Sequence, residues 1–304
     1  MNDSSDKEES KTNEESKTNE ENKKPLIKHL CFSGGGLKGI GYIGCYQALW
    51  DLEILRDPLK LETVVGTSIG SIAGLFILLG YKPDELYSFV TNFSYDDVKS
   101  VNFLDFFQTW GLESGEKIVK FLQAFMRNKT GRSDMTFKEF YEKYPVTYTI
   151  VSTNLKTHKS VYFNWKNTPE EYIIFSIRRS ISLPFFFNKV QDMETGDCWV
   201  DGGLLDNFPI QECPDSIETL GIFCGGLCDK DYPNDCLEDY FSNIFRSVLN
   251  QNTREKVERV KNSHIIRIDS NQGCNGYNMA VDIEKKQAFY DSGYKAIKDH
   301  FSRD

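Results

Sequence analysis

The stretch LETVVGTSIGSIAGLFILLG, residues 61–80, joins a short apolar run to an apolar helical segment through a serine flanked by glycines. Val64 and Val65 are β-branched and suit a buried strand, whereas the run Ile69–Leu79 has the length of a helix. A strand that turns directly into a helix is the repeating unit of a parallel sheet. This stretch therefore predicts an α/β fold.

The same alternation continues along the chain after Pro25. Candidate strands are predicted at Leu26–Ser33, Glu62–Thr67, Val146–Thr153, Cys198–Val200, Glu218–Cys224 and His264–Ile268. Helical segments are predicted near Leu37–Leu55, Ile69–Leu79, Ser114–Arg127, Glu170–Ser180, Leu237–Val260 and Asp282–His300, with a further short helix at the capping-box pair Thr136 and Glu139. Because helices cover both faces of such sheets, we expect a three-layer αβα sandwich with a mainly parallel central sheet.

The first 24 residues differ in composition from the rest of the chain. They contain the tandem repeat EESKTN at 8–13 and 14–19, and no aliphatic or aromatic residue beyond Met1. Such a segment cannot form a core, so we predict a disordered acidic tail over residues 1–24, with a docking peptide as the alternative. Residues 25–304 are predicted to form one domain, with a motif-bearing core at about 27–215 and a helical C-terminal portion at about 216–304.

Charge and hydropathy exclude several function classes. The formal net charge of −9 argues against nucleic acid as a partner, since duplex binders need clustered Lys and Arg. The apolar run Ile69–Leu79 is about half of the ~20 residues that span a bilayer, so no transmembrane segment is predicted and any membrane contact would be peripheral. The acidic, polar start does not resemble an export signal, which leads us to expect a cytoplasmic protein.

A glycine-rich loop follows the first predicted strand, with the sequence Gly34-Gly35-Gly36-Leu37-Lys38-Gly39. Backbone N–H groups in such a loop can converge on one anionic oxygen at a helix N-terminus, which makes either an oxyanion hole or a phosphate cradle. Gly34, Gly36 and Gly39 also match the dinucleotide fingerprint G-x-G-x-x-G. That site expects an acidic residue at the end of the second strand, where this sequence has Gly66-Thr67-Ser68 instead.

The pentapeptide Gly66-Thr67-Ser68-Ile69-Gly70 matches the pattern G-x-S-x-G of a nucleophile elbow. The motif requires a strand before the serine and a helix after it, and both are predicted here. Gly66 and Gly70 are expected because the turn is too tight for side chains at these positions. The pattern makes Ser68 the candidate nucleophile.

A serine hydroxyl needs a base to accept its proton, and two candidates follow Ser68 in the sequence. His264 opens a late strand and would complete a Ser–Asp–His order. Asp201, in the sequence Asp201-Gly202-Gly203, follows an apolar run, and the two glycines permit a sharp turn that brings the carboxylate to a neighbouring strand. An ordinary Asp-Gly-Gly turn is the structural alternative for this motif.

The eight cysteines show neither a dense disulfide spacing nor paired C-x-x-C knuckles. Cys224, Cys228, Cys236 and His264 could in principle form a zinc site. Reduced and mostly buried thiols are the interpretation that we favour.

Taken together, the glycine-rich loop, the Ser68 pentapeptide and Asp201-Gly202-Gly203 resemble, in this order and spacing, the three signatures of the patatin-like phospholipases. The stretches Ser152–Leu155, Ser180–Phe185 and Leu204–Pro209 also resemble accessory segments of that family. The resemblance covers roughly residues 27–210. It implies a patatin-like αβα fold and a lipid acyl hydrolase, phospholipase A-like or lysophospholipase-like, that acts on lipid at a membrane surface without a metal or an organic cofactor.

The resemblance also implies residue roles. Ser68 would be the nucleophile and Asp201 the general base, with a pKa that partial burial raises. Backbone N–H groups of the loop from Gly34 to Gly36 would bind the oxyanion, and Lys38 would anchor this loop or add positive potential. A catalytically silent lipid-binding protein and a dinucleotide-binding oxidoreductase are the two alternatives.

Two aromatic stretches have no fixed interpretation from the sequence. Residues 86–110 are dense in Tyr and Phe, and Pro184-Phe185-Phe186-Phe187 forms a shorter group. Both could form a lid or the walls of an acyl pocket, and both could equally belong to the core.

Overall fold

A computed structural model describes residues 24–92, 111–225, 237–269 and 282–302 of the chain. Ten strands lie in this part: β1 His29–Phe32, β2 Thr63–Thr67, β3 Gly111–Glu113, β4 Thr147–Asn154, β5 Lys159–Phe163, β6 Phe185–Phe187, β7 Val190–Gln191, β8 Cys198–Asp201, β9 Thr219–Cys224 and β10 His264–Ile268. The predicted acidic tail and most of the aromatic stretch 86–110 lie outside the described residues.

The described helices agree with the predicted segments in most places. They are α1 Ile40–Asp51, α2 Ile69–Leu78, α3 Pro83–Asn92, α4 Glu116–Thr130, α5 Phe137–Lys143, α6 Ile173–Ser180, α7 Gly203–Asp206, α8 Leu237–Arg259 and α9 Ile283–Phe301, with 3₁₀ turns at Gly36–Gly39, Pro58–Lys60 and Ile210–Glu212. The capping box at α5 is confirmed, since Thr136 accepts the Glu139 N–H and Glu139 accepts the Thr136 N–H.

Parallel strands form the centre of the main sheet, as predicted, and they lie in the order β10-β9-β1-β2-β4. Antiparallel strands extend it, because β5 and β8 both pair with β4 and β7 pairs with β8. The short strands β3 and β6 form a separate parallel pair. The sheet is therefore mixed, with a mainly parallel order.

The sheet lies between two layers of helices, as predicted. Alternate side chains of the strands point to opposite faces. One face, with Leu30 and Val64, belongs to the larger core cluster, which also contains buried side chains of α1, α2, α4, α5 and α6. The other face, with Cys31 and Val65, packs with Phe208 and with Val257 of α8. The protein is thus a three-layer αβα sandwich whose second outer layer is thinner.

Several details differ from the sequence prediction, which did not include the short strands β3, β6 and β7. The segment predicted as one helix near Leu37–Leu55 divides into the 3₁₀ turn Gly36–Gly39 and α1. The hairpin strand β5 was not predicted, because its side chains are mostly half-exposed and show no apolar run. Helix α3 was not predicted as a helix either, although Asp84 and Glu85 lie in its first turn, where acidic side chains are favoured.

No helix among residues 24–92, 111–225, 237–269 and 282–302 has the length and apolar character needed to cross a membrane.

Candidate active site

The sheet topology brings the carboxyl ends of β2 and β8 together. Strand β2 pairs in parallel with the first part of β4, so that Thr67 lies opposite Val151. Strand β8 pairs in the antiparallel direction with the last part of β4, so that Asp201 lies opposite Ser152. Both strands must use the same edge of β4, because β5 occupies the other edge at these residues. The residue after β2, Ser68, therefore faces the last residue of β8, Asp201.

Ser68 adopts the strained backbone conformation of a nucleophile elbow, with φ 53° and ψ −126°. The turn is tight, as the spacing of its glycines predicted. A Cβ on Gly66 would lie 2.5 Å from backbone atoms of Gly70, and a Cβ on Gly70 would lie 2.6 Å from the backbone oxygens of Phe32 and Ser33. The two glycines thus let α2 start directly against β1, with Ser68 half-buried at its N-terminus.

Ser68 and Asp201 are in direct contact. The Ser68 hydroxyl donates to Asp201 Oδ2 at 2.6 Å, and the Gly203 N–H donates to Oδ1 at 2.8 Å. The Asp201 backbone N–H donates to the Ser182 carbonyl at 2.9 Å, which fixes the strand end. Asp201 is only 6% exposed. Burial raises its pKa to about 6, while the hydrogen bonds from Ser68 and Gly203 act in the opposite direction.

The glycine-rich loop lies against Ser68. A Cβ on Gly34 would lie 3.3 Å from the Ser68 Cβ, so the loop approaches the nucleophile position as closely as its glycines permit. The Gly34 N–H donates to the Asn207 carbonyl at 3.0 Å and is not free for an oxyanion. The N–H groups of Gly35 and Gly36 have no acceptor within the described ranges. These two amides remain as the candidate oxyanion donors of the predicted set.

Gly39 and Lys38 have different surroundings from the rest of the loop. A Cβ on Gly39 would lie 2.3 Å from the Ile69 side chain, so this glycine allows the 3₁₀ turn to pack on the start of α2. The Lys38 carbonyl accepts a hydrogen bond from the Cys224 thiol at 3.4 Å, and Lys38 Nζ lies near Gly225. The loop is thereby attached to the end of β9, and a direct role of Lys38 stays a prediction.

The structure does not bring any histidine to Ser68. His264 lies level with Val64 in the sheet, with β9 and β1 between their two strands. Because β10 is three strands away from β2, and Val64 precedes Ser68 by four residues, the distance from His264 to Ser68 is roughly 19 Å at normal sheet spacings. Its Nδ1 lies 2.9 Å from Nε2 of His300. His29 is buried at the start of β1, and His158 lies in the turn between β4 and β5. The Ser–Asp–His alternative is therefore not assembled.

The zinc alternative is not assembled either. Cys224 pairs with Ile268, whereas His264 pairs with Leu220 at the opposite end of the same two strands, about 13 Å away. Ligands of one zinc ion lie about 2.0–2.3 Å from it, so these two side chains cannot share an ion. Cys228 and Cys236 lie outside the described residues. Cys31, Cys45, Cys198, Cys213 and Cys224 are all free thiols.

Residues of the Pro184–Phe187 group differ in their burial, so the core interpretation fits one of them and the lid or pocket-wall interpretation stays open for another. Phe187 is 4% exposed and packs under the Arg178 guanidinium, so it belongs to the core. Phe185 is 40% exposed and has a positive φ of 68°. In the aromatic stretch that starts at residue 86, the described part forms α3, where the Phe89 ring stacks on Phe121 of α4.

Two residues that sequence reasoning did not single out complete the site. Ser180, the last residue of α6, accepts the Ser68 N–H at 2.8 Å through its hydroxyl. Asn207 binds the Gly34 N–H through its carbonyl, and its amide donates to Thr253 of α8 at 3.2 Å. Both lie in stretches quoted above for their family resemblance. No local pattern reveals their roles, because their partners come from distant parts of the chain.

The arrangement has the three components that acyl transfer requires. It holds a hydroxyl at a helix N-terminus, a carboxylate that can accept the hydroxyl proton, and two adjacent backbone amides that can bind an oxyanion. The contacts that hold these components use residues of β2, β8, α6 and the loop after β1.

Comparisons with known proteins point to a family of lipid hydrolases. A family model described as "Patatin-like phospholipase" matches residues 30–214. The chain is 26% identical over 286 residues to the uncharacterized protein R571 of Acanthamoeba polyphaga mimivirus, covering 90% of this chain and 93% of that protein. It is 31% identical over 193 residues to the probable lipid hydrolase 463L of Invertebrate iridescent virus 6, covering 62% of this chain and 63% of that protein.

Among solved structures, VipD from Legionella pneumophila has a similar fold. The TM-score is 0.54 at 16% sequence identity, and the match covers 92% of this chain and 67% of that one. The matched family segment contains the glycine-rich loop, Ser68 and Asp201 together. The match to this family model favours a hydrolase over the dinucleotide-binding alternative, and so does the position of the glycine-rich loop against Ser68.

Proposed function

The chain belongs to the patatin-like phospholipase family, and from this premise we propose that it hydrolyses carboxylic esters of lipids through a Ser68–Asp201 dyad. In the first step, Asp201 accepts the hydroxyl proton while Ser68 Oγ bonds to the ester carbonyl carbon. The carbonyl oxygen becomes an oxyanion, for which the Gly35 and Gly36 amides are the donors. The intermediate collapses, the alcohol leaves with the proton from Asp201, and an acyl-serine remains.

Water completes the cycle in the second step. Asp201 accepts a proton from a water molecule while the water oxygen attacks the acyl carbonyl carbon. The second tetrahedral intermediate releases the fatty acid, and Ser68 Oγ recovers its proton from Asp201. One lipid ester and one water thus give one alcohol and one fatty acid, with both residues returned to their starting states.

A single observation carries the proposal: the 2.6 Å hydrogen bond from Ser68 Oγ to a buried Asp201 whose pKa is raised to about 6. A carboxylate with an ordinary pKa of about 4 is a weak base toward a hydroxyl. With a pKa near 6, the group is still ionised at neutral pH and is a stronger base by about two pKa units. Burial therefore supplies the basicity that a histidine provides in other serine hydrolases.

The direct test is covalent labelling. A fluorophosphonate probe should form an adduct that mass spectrometry locates on Ser68, and Ser68→Ala should abolish both the adduct and the hydrolysis of a soluble ester. Ser247→Ala is the matched control, because Ser247 is an exposed serine of α8 whose hydroxyl bonds only within its helix. A labelled Ser68 without release of fatty acid from any lipid tested would favour the lipid-binding alternative.

We further propose that the substrate is taken from a lipid surface next to α7 and α8, which lie beside the junction of β2 and β8. Leu249 of α8 approaches Gly203, since a Cβ on Gly203 would lie 2.9 Å from Leu249 Cδ2. In the helical turn of α8 that precedes Leu249, the side chains of Ile244 and Val248 are 44% and 37% exposed. Leu205 of the adjacent α7 is 41% exposed. Exposed apolar side chains beside a lipid-hydrolase site suit contact with a bilayer.

Sedimentation with phosphatidylcholine vesicles tests this contact. Ile244→Ser and Val248→Ser should weaken vesicle binding and leave hydrolysis of a soluble ester unchanged. Ile217→Ser is the control, because Ile217 is 72% exposed but precedes the amino end of β9, away from the site. Equal binding by all three variants would contradict the proposed surface.

A further inference from the structure

Ser180 contacts both Ser68 and the Asp-Gly-Gly turn that follows β8. It is fully buried at the C-terminal end of α6. Its hydroxyl accepts the Ser68 N–H at 2.8 Å and donates to the Val151 carbonyl at 2.5 Å. Its own backbone carbonyl accepts the Gly202 N–H at 3.3 Å. One residue therefore touches the nucleophile, the Asp-Gly-Gly turn and the strand between them.

The position of these contacts in the sheet explains their significance. Val151 is the last β4 residue that pairs with β2, and the next residue of β4 pairs with β8. The Ser180 hydroxyl lies at this junction, where one strand end stops and the other begins. The two strand ends pair with consecutive residues of β4 and not with each other, and Ser180 adds a further link between them.

We propose that Ser180 is a positioning residue for ester hydrolysis, which fixes the carboxyl end of β2 relative to that of β8 and so sets the distance between Ser68 Oγ and the Asp201 carboxylate. This inference rests on the proposed function, since it assumes that the two residues react together. Ser180 itself touches no reacting atom: its hydroxyl binds the amide of Ser68, not the hydroxyl.

The segment that contains Ser180 also holds Asp201 by a second route. The Asp201 N–H donates to the Ser182 carbonyl at 2.9 Å, and the Ser182 hydroxyl accepts from Arg178 at 2.5 Å. Arg178 in turn donates to the carbonyls of Ser114 and Asn188. The aspartate side of the junction is therefore well anchored, and the Ser180 hydroxyl is the contact through which the same segment reaches the serine side.

Loss of the hydroxyl should affect the chemical step more than substrate binding. Ser180→Ala leaves the Ser68 N–H and the Val151 carbonyl without this partner, and the strained Ser68 backbone can relax. A displacement of about 1 Å between reacting groups can lower a rate about 100-fold. We expect kcat for a soluble ester to fall about 10- to 100-fold, with KM within about threefold of the wild-type value.

Ser176→Ala is a matched control on the same helix. Ser176 is also fully buried, one turn earlier, but within the described residues its hydroxyl bonds only to the carbonyl of Tyr172, which precedes the first residue of the helix. Both variants delete one buried hydroxyl from α6, but only Ser180→Ala leaves backbone groups without this partner, so its thermal midpoint should be the lower of the two. Under the proposal, both variants fold, and only Ser180→Ala loses kcat and the rate of fluorophosphonate labelling at a temperature well below both midpoints.

The pH profile provides a readout that a structural defect would not change. The hydrogen bond from Ser68 lowers the pKa of Asp201, so a longer contact should let that pKa rise. The acid limb of kcat/KM should then move to higher pH in Ser180→Ala and stay in place in Ser176→Ala. If Ser180→Ala does not fold, Ser180→Cys, with a weaker donor on a longer bond, should fold and show a smaller change in the same direction.

The outcomes separate this inference from the proposed function. If Ser68→Ala keeps full activity, the dyad itself is wrong. If Ser68→Ala is inactive while Ser180→Ala matches Ser176→Ala in kcat and pH profile, only the role of Ser180 is overturned. An equal loss of thermal stability and activity in both α6 variants would likewise overturn it.

Discussion

Asp201 and Asp206 lie at the two ends of one turn, Asp201 as the last residue of β8 and Asp206 as the last residue of α7. Both residues are buried, with 6% and 2% exposure, but the surroundings of their carboxylates differ. Asp206 pairs with the Lys256 ammonium, and its other oxygen accepts the Tyr162 hydroxyl at 2.7 Å and the Gln211 amide at 2.5 Å. Asp201 accepts one hydroxyl and one backbone N–H, and its pKa is raised to about 6.

The difference shows how one turn can hold a reactive and a structural carboxylate. A buried carboxylate with a cation and several donors has its charge compensated and is a poor proton acceptor. A buried carboxylate with few donors retains basicity, and its ionised form costs stability. The first situation suits attachment of α8 to the turn, and the second suits general-base catalysis.

The largest effect is expected from Asp201→Asn. The amide cannot accept the Ser68 proton, so kcat should fall about 10²- to 10⁴-fold. The fold should become more stable at pH 8. The pKa of Asp201 is about 6 in the folded protein and 3.8 in the unfolded chain, so at pH 8 the ionised carboxylate of the wild type costs about 3 kcal/mol of unfolding free energy. Ester assays and urea unfolding measure the two quantities.

The gain in stability of Asp201→Asn should depend on pH. As pH falls through 6, the wild-type Asp201 becomes protonated in the folded state, so the advantage of the variant should shrink and disappear near pH 4. An inactive variant that is less stable than the wild type at pH 8 would contradict the uncompensated charge. Full activity of the variant would remove Asp201 as the base.

Asp206→Asn should have the opposite profile, with a large loss of stability and a small change in chemistry. Removal of the charge leaves the Lys256 ammonium without its partner. Because Lys256 is partly exposed to solvent, which screens its charge, the expected loss of unfolding free energy is about 2–3 kcal/mol. The kcat of the folded variant should stay within about tenfold of the wild type. Urea midpoints give the stability, and the assay is run well below them.

Glu255→Gln on α8 is the control for this comparison. Glu255 pairs with Arg259 at 3.8 Å on the exposed side of the helix, so its loss should change the urea midpoint little. A kcat loss in Asp206→Asn as large as that in Asp201→Asn would show that the two carboxylates do not differ in role.

The sequence analysis proposed a role for Asp201 but none for Asp206, and this difference has a physical reason. Short-range signals made Asp201 a candidate, since an apolar run precedes it and two glycines follow, and the family resemblance implied its role as the base. The role of Asp206 depends on Lys256, 50 residues later, and on Tyr162 of the unpredicted strand β5. Local sequence patterns contain no information about such distant partners.

The same limit applies to the fold. Buried strands such as β2 and β9 were predicted nearly to the residue, because continuous apolar runs are their signature. The head-on meeting of β2 and β8 along β4 was not predicted, although it creates the site. It depends on the register of three strands, which no single segment encodes. His264 was a reasonable candidate by chain order and failed only on its position in the sheet.

The pH dependence of the wild type should follow Asp201. The base must be ionised, so kcat/KM should rise with pH through an apparent pKa of about 6 and fall about tenfold per unit below it. Asp134 also has a pKa that burial raises to about 6, so a second buried carboxyl titrates in the same range. Asp134→Asn keeps the acceptor of the Ile174 and Met135 N–H groups and should leave the limb unchanged. A shifted limb in this variant would assign it to Asp134 instead of Asp201.

The smallest effect is expected from Tyr162→Phe, which removes one of the donors to Asp206 and leaves its pairing with Lys256. Burial and the neighbouring Asp206 raise the pKa of Tyr162, so its hydroxyl stays a donor at neutral pH. The loss should cost about 1 kcal/mol of unfolding free energy, because Gln211 still donates to the same oxygen. The kcat and its acid limb should stay at wild-type values. A shift of the acid limb in Tyr162→Phe would show instead that the hydrogen bonds of Asp206 influence Asp201, and that the two carboxylates are not independent.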